Sequence, residues 1–201
     1  GPNGAGKTSL FEVLSGRLTQ NSGSVKFKGT DLGATTIQQR LKLGIGRTFQ
    51  TPVVPNSLTV EETLRSARKA FKPFLPYHRG EWALDLMNFK PSKEVTVGSL
   101  DTLDRRKLLL TCLLMRDPKV ILMDEPASGL IDAELRELDQ LIRVLVQQLG
   151  ICVLLVEHRI ELLEAVAENV VVLNLGKVIA IGSPKEVFSN AEVQDAYFEV
   201  G

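Results

Sequence analysis

The chain has 201 residues, of which 44% are hydrophobic and 24% charged, which is typical of one globular domain with an ordinary core. Lys plus Arg and Asp plus Glu number 24 each, so no net charge draws the chain to nucleic acid or to anionic lipid. Apolar runs such as ICVLLV are far shorter than the roughly 20 residues of a spanning helix, so we expect any membrane role to act through a partner. Because Cys112 and Cys152 lie in apolar contexts, we expect two buried free thiols.

The opening stretch GPNGAGKTSL is the strongest motif in the sequence. Gly1, Gly6, Lys7 and Thr8 fill every position of G-x-x-x-x-G-K-[ST], in which backbone N–H groups cradle phosphates, Lys reaches the β/γ oxygens and Thr coordinates magnesium. The next residues, SLFEVLSGRL, have apolar side chains at helical spacing, so phosphate would lie at a helix N-terminus. An ordinary glycine turn before a helix is the alternative interpretation.

A phosphate loop of this kind is expected to follow a buried β-strand, and no residue precedes Gly1. We therefore expect the sequence to be a fragment that lacks its natural N-terminus and the central strand of a parallel sheet.

The middle of the chain predicts a small α-helical subdomain over residues 51–116, after the strands SVKFKG and IGRTFQ. VEETLRSARKAF and EWALDLMNF have amphipathic helical patterns, and the Pro-rich segment between them places His78 at the surface. The remaining residues, 117–201, predict the second part of the core, with a C-terminal hairpin turned at Gly176 and a helix capped by Ser183.

Two buried strands of this second part end in polar residues. VILMDEP delivers Asp124 and Glu125 at the carboxyl end of a strand, where ligands bind in open α/β sheets. Asp124 is predicted to hold magnesium through water, and Glu125 to polarise an attacking water. A solvated strand end would be the simpler interpretation if the phosphate loop were absent. ICVLLVEH places His158 at the same sheet edge, which favours a functional role over the commoner structural one.

The motifs GPNGAGKTS, Phe49-Gln50, ILMDEP and VEH, in this order, resemble those of the ATP-binding subunit of an ABC transporter. The resemblance implies an α/β P-loop NTPase fold that lacks its N-terminal strands, in which residues 1–201 form a single ABC ATPase domain. It also implies a head-to-tail dimer that binds two ATP molecules with Mg²⁺. Gln50 would sense the metal and the water, Ser9 would contact phosphate, and His158 would lie near the γ-phosphate.

The predicted site has three sets of residues. The predicted catalytic residues are Glu125, His158 and Gln50. The predicted nucleotide-binding residues are Asn3, Gly4, Ala5, Gly6, Lys7, Thr8 and Ser9. The predicted metal ligands are Thr8, Gln50 and Asp124.

The segment VGSLDTLDRRK departs from the L-S-G-G-Q signature of the family, since only Leu100 matches, and a helix over residues 105–115 is expected to follow it. Asp101 would place a negative charge against phosphate, at a cost of ~4 kcal/mol for unit charges about 4 Å apart at an effective dielectric near ~20. Leu103 would hinder close approach to the backbone, and Ile131 replaces the usual Asp or Asn. These departures predict a heterodimer in which a partner's intact signature completes this chain's ATP site.

RTFQ, LTVEETL, VEHRIELL and the tail NAEVQDAYFEVG resemble the branched-chain amino-acid importers and their urea and amide relatives. The implied partners are a second ATPase subunit, two transmembrane permease subunits and, indirectly, a substrate-binding protein, with no nucleic acid. The implied location is the cytoplasmic face of the cell membrane. Alternatives are a homodimer, a non-hydrolysing regulatory subunit, which Glu125 opposes, and a soluble ABC ATPase acting on nucleic acid or the ribosome.

Overall fold

The structure is a computed structural model that describes residues 1–48 and 54–198. Within these ranges the strands are β1 (Lys26–Phe27), β2 (Thr30–Asp31), β3 (Ile45–Thr48), β4 (Val120–Asp124), β5 (Cys152–Val156), β6 (Val170–Asn174) and β7 (Lys177–Gly182). The α-helices are α1 (Lys7–Ser15), α2 (Ile37–Leu43), α3 (Val60–Lys69), α4 (His78–Leu86), α5 (Thr102–Leu114), α6 (Asp132–Arg143), α7 (Ile160–Val166), α8 (Pro184–Phe188) and α9 (Ala191–Phe198). A 3-10 helix spans Val97–Ser99, and a π-helix, Val144–Gln148, continues α6. The fold is α/β, as the sequence predicts.

A parallel sheet in the order β3-β4-β5 positions the polar strand ends. Asp124, the last residue of β4, lies opposite Val156, the last residue of β5, and Thr48 lies opposite Met123. The carboxyl ends of all three strands therefore meet at one edge, where α/β sheets bind ligands.

The two faces of β4 contribute to different parts of the core, because side chains alternate along a strand. Ile121 and Met123 belong to the large cluster that α3 to α6 help to build. Leu122 packs on the opposite face in a smaller cluster with Phe11 of α1. The phosphate-loop helix therefore covers one face of the sheet, and the helical segment packs against the other.

The helices predicted for residues 51–116 are present in the described part of that segment. Thr59 and Glu62 form a reciprocal capping box at the start of α3. The predicted start of the following helix at Arg105 is wrong, because α5 begins at Thr102. Asp101 stabilises this earlier start by accepting a hydrogen bond from a backbone N–H of the first turn.

The C-terminal part contains the predicted hairpin and capped helix. β6 and β7 pair antiparallel, and the turn between them has positive φ at Leu175 and Gly176. Ser183 accepts a hydrogen bond from the N–H of Glu186, and Pro184 is the first residue of α8.

None of the helices in the described ranges has the length and apolar character that a membrane span requires.

A cleft of about 670 Å³ separates β5 from β6. Among the described residues, β5 pairs with β4 alone and β6 with β7 alone. Cys152 lines the cleft and is exposed, so the prediction of a buried thiol is wrong for this residue. Cys112 packs against the large core cluster, and burial raises the pKa of its thiol to about 12.

Candidate nucleotide-binding and hydrolysis site

The glycine-rich loop turns sharply into α1. Gly4 and Gly6 have φ of 77° and 101°, in the left-handed region that glycine adopts without strain. Between them, Ala5 is buried, and its carbonyl accepts a hydrogen bond from the N–H of Gly176. No side chain caps the start of α1 at Gly6. The first-turn N–H groups are therefore available to an anion.

The predicted nucleotide-binding residues differ in how far they reach solvent. The exposed ones are Asn3, Gly4, Thr8 and Ser9. The hydroxyls of Thr8 and Ser9 thus lie in the first turn of α1, on the surface beside the loop.

Lys7 lies close enough to Asp124 and Glu125 for their charges to act on it. Its Nζ donates hydrogen bonds to the carbonyl oxygens of Gly1, at 2.5 Å, and Pro2, at 2.8 Å. Burial lowers the pKa of Lys7, and the nearby charges of Glu125 and Asp124 partly oppose this effect. The structure therefore brings the lysine and the Asp-Glu pair into one electrostatic site.

Glu125 and His158 form a side-chain pair across the ends of β4 and β5. Oε1 of Glu125 lies 3.0 Å from Nε2 of His158, and both side chains are partly exposed. Glu125 has φ of 46°, which is uncommon for a non-glycine residue and is found at functional sites. Its N–H donates to the carbonyl of Val156 at 2.8 Å, so the backbone fixes this turn to β5.

Asp124 is buried and forms an ion pair with Arg47. Arg47 was not among the residues predicted for the site. The guanidinium Nη2 of Arg47 lies 2.9 Å from Oδ2 of Asp124, and its Nη1 lies 2.9 Å from Oε1 of Glu12. Nη1 also donates to the hydroxyl of Ser15 at 3.0 Å. Arg47 therefore ties α1 to β4. An arginine among the uncharged residues of the short strand IGRT was the sequence feature that could have indicated a buried ion pair.

In the segment VGSLDTLDRRK, the structure differs from the prediction at Leu103. The side chain of Asp101 accepts a hydrogen bond from the N–H of Asp104 at 2.7 Å, so a carboxylate caps the N-terminus of α5. Leu103 is buried in the large core cluster. The prediction that Leu103 hinders an approaching ligand is therefore wrong, because helical periodicity turns it inward. Ile131 is 68% exposed and precedes α6.

Gln50 lies outside the described residues, so its predicted role stays a prediction. Among the described residues, no group of three or more His, Cys, Asp or Glu could hold a metal ion. The hydroxyl of Thr8 and the carboxylate of Asp124 are oxygen donors of the kind that Mg²⁺ uses, since this ion binds through one or two carboxylates plus substrate phosphates and keeps several waters.

The phosphate loop, Asp124 and the Glu125–His158 pair meet at one edge of a parallel sheet, which is the arrangement of P-loop nucleotide hydrolases. Residues 1–128 match the protein family described as ABC transporter, and the chain belongs to this family. It is an ATPase of the ABC type, in which ATP hydrolysis is linked to transport.

The lipopolysaccharide export ATP-binding protein LptB of Haemophilus influenzae is 30% identical over 200 residues, which cover 98% of this chain and 83% of that protein. The branched-chain amino acid transport ATP-binding protein LivG of Salmonella typhimurium is 30% identical, over 98% of this chain and 84% of its own length. The solved ADP conformation of MJ1267, an ATP-binding cassette of an ABC transporter, superimposes with a TM-score of 0.87 at 26% identity, covering 98% and 84% of the two chains.

Proposed function

We propose that this chain hydrolyses ATP at its own phosphate loop, with Glu125 as the general base and His158 as its partner. The observation that supports this proposal is the 3.0 Å contact between Oε1 of Glu125 and Nε2 of His158 beside Lys7 and Asp124. In this proposal, the carboxylate that contacts the imidazole would orient a water for in-line attack on the γ-phosphate.

The phosphates would lie on the N–H groups of the loop and of the first turn of α1, with Lys7 reaching the β/γ oxygens. Thr8, Asp124 and Gln50 would hold Mg²⁺, which neutralises charge that develops on the phosphate oxygens. Arg47 contacts Oδ2 of Asp124, so the arginine would hold this carboxylate in place beside the metal.

The second part of the proposal is an unequal dimer of ATP-binding subunits. Asp101 caps α5 in the segment that corresponds to the family signature, so its carboxylate competes with a nucleotide phosphate for the helix N-terminus. A partner with an intact signature would complete this chain's ATP site, whereas the partner's own ATP would face Asp101. A homodimer and a non-hydrolysing regulatory subunit are the competing forms.

We further propose import of branched-chain amino acids as the process that this ATPase powers. The similarity to LivG supports this assignment, and the equal identity to LptB makes lipopolysaccharide export the second candidate. In both cases the chain would attach to two transmembrane permease subunits at the cytoplasmic face of the membrane. The balanced charge of 24 basic and 24 acidic residues gives no support to a nucleic-acid partner.

The test is ATP turnover by this chain alone and mixed with its companion ATP-binding subunit. Glu125→Gln should reduce turnover in the mixture by about 10²–10⁴-fold, the usual contribution of a general base. Glu164→Gln, an exposed carboxylate on α7, is the matched control and should leave turnover unchanged. Robust turnover by the chain alone, together with no effect of Asp101→Ser, would contradict the unequal dimer.

A further inference from the structure

Glu157 is a buried carboxylate that the proposed hydrolysis step does not yet use. It follows β5 directly and precedes His158, and only 6% of its surface is exposed. Its Oε1 accepts a hydrogen bond from the N–H of Ala127 at 2.6 Å. Its Oε2 accepts from the N–H of His158 at 3.0 Å and of Arg159 at 3.3 Å.

These three hydrogen bonds come from two separate loops of the site. Ala127 lies two residues after Glu125, in the turn that follows β4, whereas His158 and Arg159 belong to the turn that follows β5. We propose that Glu157 is a positioning residue that holds Glu125 and His158 at their contact distance. This inference rests on the proposed roles of those two side chains in hydrolysis.

The backbone around Glu125 explains why such a support is useful. The residue sits at φ of 46°, a conformation that persists only where its surroundings impose it. On one side, the N–H of Glu125 is bonded to Val156, and on the other the carbonyl of Glu125 accepts from the N–H of Ser128 at 3.1 Å. The bond from Ala127 to Glu157 closes the turn between these two points.

A carboxylate suits this position better than an amide would. An ionised carboxylate is acceptor-only, so both of its oxygens can receive the N–H groups that surround it. Glutamine keeps one acceptor oxygen and turns an NH₂ group toward N–H donors on the other side. The positive charge of Arg106 also lies near Glu157. Burial lowers the pKa of Arg106, and the negative charge of Glu157 partly opposes this effect. Arg106 itself donates to the carbonyl of Ser128 in the Glu125 turn.

Loss of the Glu157 hydrogen bonds should affect the rate of hydrolysis and leave ATP binding unchanged. Glu157 contacts neither the phosphate loop nor α1 in any of these bonds, so its loss should leave nucleotide affinity intact. A misplacement of the reacting groups by ~1 Å can cost on the order of 10²-fold in rate. Glu157 should therefore affect kcat and leave KM for ATP unchanged.

The test compares Glu157→Gln with wild type in the complete transporter assembly, by kcat and KM for ATP and by binding of a fluorescent ATP analogue. We expect kcat to fall by about 10–100-fold while KM and analogue affinity stay within about twofold. Glu186→Gln is the matched control, because Glu186 also accepts backbone and hydroxyl hydrogen bonds but caps α8 away from the site. A kcat within about twofold of wild type would overturn the proposal, as would a parallel loss of analogue binding.

A double-mutant cycle separates this inference from the proposal on which it rests. In the Glu125→Gln background, Glu157→Gln should produce no further loss of turnover, since the two residues act as a unit. If Glu125→Gln alone leaves turnover intact, the role of Glu125 fails. If both single changes are severe but additive, the positioning role of Glu157 fails. Should Glu157→Gln not fold, Glu157→Asp replaces it, because the shorter side chain cannot reach both loops, and a wild-type kcat would then count against the proposal.

Discussion

Arg47 joins two carboxylates on different elements, and Arg47→Met removes both ion pairs at once. Its side chain is 6% exposed, and its partners Asp124 and Glu12 are 10% and 18% exposed. Removing one partner of a buried ion pair costs about 3–5 kcal/mol, because the remaining charge stays buried and unpaired. For a domain of this size, each kcal/mol lowers Tm by about 2–4 °C. We therefore expect Tm to fall by on the order of 10 °C.

Thermal unfolding followed by circular dichroism measures this effect, and the chain provides its own control. Arg17 also pairs with Glu12, at 3.0 Å, but its side chain is 50% exposed. Arg17→Met should cost at most about 1 kcal/mol, as exposed ion pairs do. If Arg47→Met and Arg17→Met lower Tm by the same amount, the Arg47 bridge does not stabilise the contact between α1 and β4, and the reasoning is refuted.

Three further measurements address other parts of the fold. Burial is the largest cause of the raised pKa of Asp104. The charged carboxylate therefore destabilises the fold at neutral pH, and this cost is lost as pH falls through the raised pKa. Asp104→Asn should raise Tm at about pH 7 and lose this advantage at about pH 4. Disulfide reagents should modify exposed Cys152 much faster than Cys112 in the native protein, and equal rates would contradict the burial of the second thiol. Lys107→Met should cost about 2 kcal/mol in urea unfolding by removing the 2.6 Å bond to Glu137, and an unchanged midpoint would contradict this.

The sequence was sufficient for features that depend on neighbouring residues. The glycine positions of the phosphate loop are set by local backbone geometry, and the structure places Gly4 and Gly6 in the left-handed region. The apolar run before Asp124 predicted a buried strand with polar residues at its end, and β4 has this form. The sequence also indicated that Asp124 and His158 share one sheet edge, but the strand order β3-β4-β5 was not predicted.

Contacts between distant segments could not be predicted in this way. Arg47 and Asp124 are 77 positions apart, and Ala127 and Glu157 are 30 apart. Their pairing depends on strand register and on the direction of each side chain, which no local pattern specifies. Leu103 illustrates the same difficulty over a shorter distance. Whether it faces a ligand or the core depends on where α5 begins, and its start differed from the prediction by three residues because Asp101 acts as the cap.

The capping role of Asp101 also bears on the proposed unequal dimer. A helix N-terminus attracts one anionic group strongly, and here the attached carboxylate already accepts the N–H of Asp104 at 2.7 Å. A phosphate approaching from a partner subunit would have to displace this carboxylate and meet its charge. The chain's own phosphate loop has no such competitor at Gly6, where no side chain caps α1. One molecule therefore combines a helix end without a side-chain cap, at α1, with a helix end capped by a carboxylate, at α5. In the proposed head-to-tail dimer, two identical copies would place Asp101 at both ATP sites. In the proposed dimer, a companion subunit with the neutral serine of the family signature in place of Asp101 would remove this charge repulsion at one site, which is why we propose a heterodimer rather than a homodimer.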